Sequence, residues 1–456
     1  MAEPAALGHA RAIADAAVTL PAEAPAPVAS RVAWTVLDAM GAILYASTLP
    51  DAMAAARYFA GDSRRGAVHV PATGFAASDA AAAAAIAFLI HAAEIDDSDM
   101  RGQLRASSVI LSATLAAAQA ADSSGAAFIR AAALGYTLQG RFVAPVGAIQ
   151  GRGWMASGVW GPPSAAAAVA LLRGQPAEEI ASAISLACAS SGGLFQYYFD
   201  QTEEKRLIVA RGARAAVESA ELAALGEHGA AHAIEGKSGL YSLFAGSKAP
   251  PAEHFTASLG ELEGPLFVRP KFFAASHSII PTLDGLAAAA PQGVAAGSVE
   301  SIVIRGDSAW GEVIGDKINA FEAPHSRIGA ALNFSFVVAM WIARGRVLPT
   351  DYTEATMEDE TILALARNTS FETAPGEHLS IEVRLKNGET IRASAVDPDP
   401  EEPAPLDEAR RVSKFEGLAR SRLSQGQAEA LRTHCLAVGE AESMRDWARR
   451  ARSICE

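Results

Sequence analysis

The chain has 456 residues, of which 50% are hydrophobic, 20% charged and 7% aromatic, so it is neither a disordered chain nor an aromatic-rich β-sandwich, and its length indicates two or three packed domains. Its 38 Lys and Arg against 51 Asp and Glu give a net charge of -13, the wrong sign for a protein that coats nucleic acid or anionic lipid. We therefore expect no nucleic-acid partner and no membrane partner, and an anionic ligand must meet a local cluster of cations.

The cysteine content predicts a reducing compartment. Cys188, Cys435 and Cys455 include no Cys-x-x-Cys pair, so they form neither a disulfide framework nor a thiolate metal site. The chain also opens without the basic and apolar regions of a secretory signal. Together these features predict a cytoplasmic location.

Residues 1–266 are predicted to form an all-α helical domain. Apolar residues recur at helical spacing from about Pro27 to Ala245, broken by Gly and Pro. Several predicted helices have almost no polar face, as in the interior of a large bundle: Ala80–Ala93, Val109–Ala121 and Ser164–Leu172. Two uncharged runs, Gly153–Leu172 and Ile180–Phe199, are long enough to span a bilayer, but their internal Pro and Gly residues favour buried globular segments.

The first candidate functional segment is His91–Asp99, which follows an apolar helix. Helical spacing would put His91, Glu94 and Ser98 on one face with Asp97 beside them. Carboxylates at the C-terminal end of a helix are destabilised by its macrodipole, so their presence there indicates either compensating cations or a role in function. Arg101 and Arg105 could be those cations; the alternative is a solvated acidic loop.

The second candidate segment is Thr202–Arg214, which follows an aromatic stretch. Lys205 and Arg206 would lie near the N-terminus of a helix, where cations oppose the dipole. Together with the free backbone N–H groups they could receive a carboxylate or phosphate. The alternative is an ordinary charge network between residues three or four apart.

The third candidate segment contains Lys271 and His277, close to a predicted domain boundary. Ligand sites often lie between domains, so these two residues are well placed for a cleft. A Lys and His pair of this kind also occurs at ordinary surfaces, and that alternative stays open.

Residues 267–403 are predicted to form a smaller α+β domain. Ser298–Arg305 alternates as a strand does, and His378–Arg384 pairs with Glu389–Ser394 across the turn at Asn387-Gly388. The proline-rich acidic connector Asp397–Pro405 follows. Residues 404–456 return to helical patterning and are predicted to pack back on the helical domain, the alternative being an extension of the small domain.

The sequence lacks the motifs of the common cofactor-dependent and metal-dependent enzymes. It contains no His-Glu-x-x-His, no Gly-x-x-x-x-Gly-Lys-Ser/Thr, no Gly-x-Ser-x-Gly and no Gly-x-Gly-x-x-Gly after a strand. We therefore expect no cofactor and no bound metal, which leaves cofactor-free chemistry or simple binding.

Six segments occur in the order and approximate spacing of the MmgE/PrpD family, which the chain resembles over nearly its whole length. This family includes 2-methylcitrate dehydratase, cis-aconitate decarboxylase and iminodisuccinate epimerase. The segments are Val32–Ser47, His91–Ser98, Gly153–Leu172, Lys205–Ala216, Lys271–Pro281 and Phe334–Gly345.

The resemblance implies a mainly α protein, with a large all-α helical bundle domain built from both chain ends and a smaller α+β lid domain. It also implies a homodimer, no cofactor and an active site between the domains. The family's reactions share the removal or return of a proton at a carbon next to a carboxylate, for which acid–base groups and cations suffice.

Several positions depart from the family's pattern. Glu94 and Ser98 stand where the family has Asp and Thr, and these exchanges keep the functional groups. Histidines expected after Lys205, after Lys271 and beside Trp154 are replaced by Ile208, Ile280 and Met155, and Arg105-Ala106 replaces a His-Pro pair. An unchanged dehydratase or decarboxylase mechanism is therefore in doubt, although His277 could substitute for one histidine.

From these residues we predict a lyase or isomerase that acts on a small di- or tricarboxylate, similar to 2-methylcitrate dehydratase. The alternatives are an epimerase of an aminosuccinate-like substrate and a catalytically silent binding protein. The predicted catalytic residues are Glu94, Asp96, Asp97, Ser98, Lys205, Lys271 and His277. The predicted substrate-binding residues are His91, Arg101, Arg105, Trp154 and Arg206.

Overall fold

The computed structural model describes residues 8–61, 68–396 and 399–456. The chain start, on which the expectation about a secretory signal rests, and the first two residues of the predicted connector therefore lie outside the described residues.

Helices occupy most of the described chain. The helices before residue 230 are α1 (His9–Val18), α2 (Ala26–Ala46), α3 (Pro50–Ala60), α4 (Asp79–His91), α5 (Ala106–Ala121), α6 (Gly125–Val143), α7 (Ala156–Leu172), α8 (Ala177–Ala189), α9 (Gln196–Asp200) and α10 (Lys205–Ala224). The middle helices are α11 (Ala252–Thr256), α12 (Ile280–Ala289), α13 (Ser308–Trp310), α14 (Asp316–Asn319), α15 (Arg327–Leu332), α16 (Phe334–Arg344), α17 (Glu354–Met357) and α18 (Glu360–Arg367). The C-terminal helices are α19 (Glu408–Ala419), α20 (Gln425–Leu436) and α21 (Met444–Cys455).

The strands are short except in one region. They are β1 (Val68–His69), β2 (Ala76–Ala77), β3 (Ser98–Asp99), β4 (Val268–Arg269), β5 (Val299–Gly306), β6 (Thr369–Thr373), β7 (Ser380–Leu385) and β8 (Thr390–Ser394). The last four form a sheet in the order β6-β5-β7-β8, with β5 parallel to β6 and antiparallel to β7. The predicted hairpin is confirmed, since Ser380 pairs with Ser394 and Arg384 with Thr390.

The chain divides into two compact units, which confirms a mainly α protein with a smaller α+β part. Among the described residues, unit 1 contains 8–61, 68–195, 204–270 and 400–456, and unit 2 contains 196–203, 271–396 and 399. The domain boundaries predicted at 266 and 403 stay a prediction. The structure differs from them in assigning Gln196–Glu203 to unit 2 rather than to the helical part.

Unit 1 is a helical assembly whose central helices are buried on nearly all sides. Helices α4, α5 and α10 pack against one another, and α7 packs on α5, α6, α8 and α10. Alanine dominates their buried faces, and its small side chain lets helix backbones approach closely. The C-terminal helices also belong to this unit, because α19 and α20 pack on α2 and α21 packs on α5.

Within the described residues, one helix is long and apolar enough to cross a membrane. This helix is α2, and 89% of its apolar window is buried inside the protein. The uncharged run Gly153–Leu172 contains α7, which is also buried almost throughout. The run Ile180–Phe199 does not form one helix, because a loop separates α8 from α9.

Pro162, one of two prolines inside α7, explains how a loop next to α10 is held. Pro162 has no N–H, so the carbonyl of Gly158 loses its helical donor. That carbonyl accepts a hydrogen bond from Gly192 N at 2.9 Å instead. A Cβ on Gly158 would lie 2.1 Å from Gly192 O, so only glycine allows this close approach.

Candidate active site

The segment after α4 is buried but not helical. Helix α4 ends at His91, and β3 then pairs with β4, with Ser98 opposite Arg269. In the predicted segment His91–Asp99, each residue with a titratable or hydroxyl side chain is at most 2% exposed. The helical spacing predicted for Glu94 and Ser98 is therefore wrong, because the helix stops before them. The alternative of a solvated acidic loop is also wrong.

Glu94 is the centre of the candidate site. Its backbone is left-handed, with φ 54°, a conformation that costs a non-glycine residue free energy and is often found at functional sites. Its carboxylate forms a buried ion pair with Lys205, the first residue of α10. Arg105 Nη2 lies 3.8 Å from the other carboxylate oxygen of Glu94. One carboxylate thus faces two cations, and we call these three residues the Glu94 trio.

Arg105 connects the trio to Ser98 and to α7. Its Nη1 donates to Ser98 Oγ at 3.3 Å, and its backbone N–H donates to Ser157 Oγ at 2.7 Å. Four of the predicted site residues, Glu94, Ser98, Arg105 and Lys205, are therefore brought together inside unit 1. Guanidinium and ammonium groups of this kind are the usual partners of carboxylates.

His91 and Asp96 form a second buried pair. His91 Nδ1 lies 2.8 Å from Asp96 Oδ2, which also accepts a hydrogen bond from Ser108 Oγ at 2.7 Å. Burial lowers the pKa of His91 to about 3, against the raising effect of Asp96, so the imidazole is neutral. With Nδ1–H donating to Asp96, Nε2 carries the lone pair, and among the described groups it has no hydrogen-bond partner.

Asp97 lies in a separate hydrogen-bond network. It accepts hydrogen bonds from the backbone N–H of Ser107, at 3.0 Å, and from Ser107 Oγ, which is itself 2.6 Å from Tyr136 Oη. Burial raises the pKa of Asp97 to about 7, and the nearby Asp38 raises it further. Asp97 can therefore exchange a proton near neutral pH.

Lys414 is not among the residues predicted from the sequence. This residue of α19 is 319 positions from the segment that it holds. Its Nζ donates to Asp38 Oδ1 at 2.6 Å and to the carbonyl of Ile95 at 2.7 Å. Lys414 thus ties the backbone next to Glu94 to α2. Its local pattern is that of an ordinary amphipathic helix, so nothing in the sequence distinguishes it.

The other cationic and aromatic candidates in unit 1 are held by structural partners. Arg101 pairs with Asp99 at 2.5 Å and its guanidinium lies 4.1 Å from the ring centre of Phe267. Arg206 pairs with Asp51 at 2.9 Å. Both pairs join residues that are distant in the chain or in a different segment from α10, and the alternative of a charge network between residues three or four apart stays open for Lys205 and Arg206.

Trp154 packs edge-on against Phe244, with ring centres 4.9 Å apart. Its indole therefore has a structural role in unit 1. Substrate binding by Trp154, Arg101 and Arg206 stays a prediction.

Lys271 and His277 belong to unit 2, where both are buried. Backbone hydrogen bonds fix the segment between them, from Ala274 N to Val347 O and from Ser276 N to Ala331 O, at 3.0 and 2.9 Å. Their predicted participation in catalysis together with Glu94 stays a prediction.

His91, Glu94 and Asp96 are the described residues closest to a metal-binding arrangement. One ligand atom from each lies within 4.8 Å of the others. However, the ammonium of Lys205 already pairs with Glu94, and His91 is bonded to Asp96. A divalent cation would have to compete with both interactions, so Lys205 is the better candidate for the cation that acts on a substrate here.

Comparison with known proteins gives a consistent result over most of the chain. The model of the MmgE/PrpD N-terminal domain matches residues 11–253, and that of the MmgE/PrpD C-terminal domain matches residues 273–437. The chain is also 26% identical over 443 residues to the cis-aconitate decarboxylase-like protein oryM of Aspergillus oryzae, and the alignment covers 92% of each chain.

Proposed function

Since the chain belongs to the MmgE/PrpD family, we propose that it is a lyase or isomerase of a small di- or tricarboxylate that transfers a proton at a carbon next to a carboxylate. The relative from Aspergillus oryzae, whose name places it with cis-aconitate decarboxylases, supports a lyase-like activity in general. The reaction closest to our proposal is a 2-methylcitrate dehydratase-like elimination.

The observation that carries the proposal is the Glu94 trio. Lys205 and Arg105 place two cations beside the carboxylate of Glu94, and all three side chains are buried. Ion pairs strengthen in a site of low dielectric constant, so these cations would bind a substrate carboxylate strongly. They would also stabilise the negative charge that reaches the carboxylate oxygens when the neighbouring carbon loses a proton.

Glu94 would then act as the base. In an elimination its carboxylate takes the proton from carbon, the C–H electron pair forms the C=C bond, and the leaving hydroxyl departs as water after taking up a proton from solvent. In a decarboxylation CO2 leaves, the electrons of the broken C–C bond stay on carbon, and that carbon takes a proton from solvent. Both reactions need a proton-transfer group beside a carboxylate clamp, and the neutral His91 is a second candidate for it.

Two features support the alternative functions, an epimerase and a silent binding protein. An epimerase needs two bases but no acid for a leaving group, and Glu94 with neutral His91 would satisfy that need. A silent binding protein is favoured by the lost histidines: Ile208, one turn beyond Lys205, packs against Gly158 and Gly193 instead of presenting an imidazole.

The test is exchange of substrate C–H for deuterium in D2O, followed by NMR across citrate-like, aconitate-like and aminosuccinate-like compounds. We expect exchange with at least one compound, and a loss of roughly a hundredfold or more in Glu94→Gln. Glu94→Asp, which keeps the carboxylate, should retain more activity. Glu263→Gln, which alters a different, partly buried pair with Arg141, serves as the control.

Each outcome separates the candidates. Exchange without net conversion of an aminosuccinate-like compound would favour the epimerase. Binding of a compound without any exchange would favour the silent protein. Exchange that survives Glu94→Gln unchanged would contradict the role of Glu94, and His277→Ala in the same assay tests the unit 2 candidate. The homodimer, the cytoplasmic location and the absence of a cofactor stay predictions.

A further inference from the structure

Unit 2 contains a cavity of about 270 Å³, which we call the second-unit cavity. It is formed by the segment around α9, by α14 with the residues next to it, and by the start of α16. At ~30 Å³ per water molecule, this volume accommodates a small organic molecule. Every residue that lines it belongs to unit 2.

The N-terminus of α16 opens onto this cavity. Asn333 caps the helix, and its Oδ1 accepts a hydrogen bond from Phe336 N at 3.1 Å. The N–H groups of Phe334 and Ser335, the first two helical residues, have no acceptor within the helix. These groups and the positive end of the helix dipole attract an anion.

Ser335 supplies an independent indication of a ligand. It lines the cavity and is 1% exposed. Throughout the described parts of the chain, its Oγ has no hydrogen-bond partner. A buried hydroxyl without a partner costs roughly 1–3 kcal/mol, and a ligand oxygen in the cavity would remove that cost.

Lys317 also lines the cavity and contributes a positive charge to its wall. Its Nζ donates to the carbonyl of Tyr198 at 2.7 Å and lies 4.5 Å from the centre of the Tyr198 ring. Two of its three N–H donors go to backbone carbonyls, counting a longer bond to Phe199 O at 3.4 Å. Partial burial lowers the pKa of Lys317, which an anionic ligand would counteract.

The remaining walls restrict the kind of anion. Buried apolar side chains, among them Ile314, Ile318 and Leu332, line the interior. Asp316 and Glu322 also line the cavity but are exposed, so they stand towards solvent. A ligand with a second carboxylate near the opening would meet these two negative charges.

We propose that the second-unit cavity binds a monocarboxylate with an apolar body, its carboxylate held by Ser335, Lys317 and the N-terminus of α16. The ligand class differs from the di- or tricarboxylate of the proposed reaction. The inference goes beyond that reaction and does not depend on it, because it concerns binding alone.

The experiment is a titration of the full chain by calorimetry or ligand-observed NMR. The probes are phenylacetate, its neutral isostere phenylacetamide, and the tricarboxylate tricarballylate. Phenylacetate should bind at least tenfold more tightly than phenylacetamide. Ser335→Ala and Lys317→Met should each weaken phenylacetate binding by about tenfold, as expected when one hydrogen bond to a charged group is lost.

Ser335→Ala removes only a hydroxyl that lacks a partner, so this variant should fold even if Lys317→Met does not. Lys386→Met and Ser298→Ala, which alter residues outside the cavity lining, should leave the affinity unchanged. Equal affinity for phenylacetate and phenylacetamide, no binding of phenylacetate, or an affinity unaffected by Ser335→Ala would overturn the proposal. Tricarballylate that competes with phenylacetate at equal affinity would overturn the role of Asp316 and Glu322.

Discussion

At the scale of single residues, the candidate site depends on charges that are buried together. Glu94 occupies a left-handed backbone conformation that is costly for a residue other than glycine, and its carboxylate lies beside Lys205 and Arg105. Burial costs each ion much of its hydration, and breaking a buried pair leaves the remaining ion unpaired. The trio therefore affects both stability and ligand binding.

We expect Lys205→Ala to weaken binding of a carboxylate ligand by ~1.5–3 kcal/mol, the range for a hydrogen bond to a charged group. The variant should also be less stable, because Glu94 loses its nearest cation. Calorimetric titration and urea unfolding measure the two effects. Combining it with Glu94→Gln should recover part of the stability but not the binding. Unchanged binding in Lys205→Ala would contradict a role for this ammonium.

Asp97 and His91 should influence stability in opposite directions as the pH changes. Burial raises the pKa of Asp97 from 3.8 to about 7. Between these two pH values the folded protein keeps a proton that the unfolded chain releases. The contribution of Asp97 to the free energy of unfolding therefore falls as the pH rises from 3.8 to about 7. Burial lowers the pKa of His91 from 6.5 to about 3, so its contribution rises with pH. Each effect reaches at most about 1.4 kcal/mol per pH unit.

Asp97→Asn should therefore remove the contribution to stability that falls with rising pH and leave the contribution of His91, which rises with pH. The difference in free energy of unfolding between the variant and the original protein should grow in favour of the variant from pH ~4 to ~7. Urea unfolding at a series of pH values measures it. A difference that does not vary with pH would show that Asp97 is ionised in the folded protein throughout this range.

At the scale of elements, the position of the site depends on segments far apart in the chain. The carbonyl freed by Pro162 holds the loop at Gly192, and Lys414 of α19 holds the carbonyl of Ile95. Both contacts fix backbone next to residues of the candidate site, and small displacements of catalytic groups have large effects on rate.

Lys414→Met should loosen the segment around Glu94. We expect faster amide hydrogen exchange in residues 92–100, and a turnover reduced by roughly tenfold to a hundredfold with little change in KM. Lys414→Arg should restore part of both. The matched control is Arg445→Met, which removes another C-terminal cation, paired with Asp122 at 3.4 Å. Exchange in residues 92–100 that is unchanged in Lys414→Met would contradict the positioning role, whatever the reaction.

At the scale of the whole molecule, the C-terminal segment completes the helical unit that the N-terminal segment begins. Helix α20 packs on α2, and its Leu431 is fully buried. Unit 2 interrupts unit 1 in the sequence, so unit 1 forms only after contacts of large sequence separation are made.

Leu431→Ala should lower the free energy of unfolding by ~2–5 kcal/mol, because it leaves a cavity between α20 and its neighbours. The same substitution at Leu406, which is 37% exposed, should cost less than about 0.5 kcal/mol. Thermal or urea unfolding of the two variants compares them. Equal losses would mean that the C-terminal helices add little to the stability of unit 1.

The predicted homodimer is tested by sedimentation equilibrium. The mass should be twice the 47.1 kDa of one chain at micromolar concentration. A monomer under these conditions would contradict the prediction. Tyr58 and Leu225 are 82% and 81% exposed, and exposed apolar side chains of this kind are candidates for such an interface.

The sequence by itself determined the features that depend on near neighbours. Helical periodicity predicted the buried helices of the first part, and the turn at Asn387-Gly388 predicted the hairpin, because Gly388 adopts φ 89° that glycine permits without strain. The motif order was enough to predict the family. It also named Glu94, Ser98, Arg105 and Lys205 as candidates, although it placed Glu94 and Ser98 wrongly on a helix.

Only the tertiary structure decided which charges face one another. The ion pair of Glu94 with Lys205 joins residues that are 111 positions apart, and the bonds of Lys414 to Asp38 and Ile95 join still more distant segments. Periodicity and turn chemistry act over a few residues and contain no information about such partners. The partner of a buried charge is chosen by the packing of whole helices, since desolvation penalises any arrangement that leaves it unpaired.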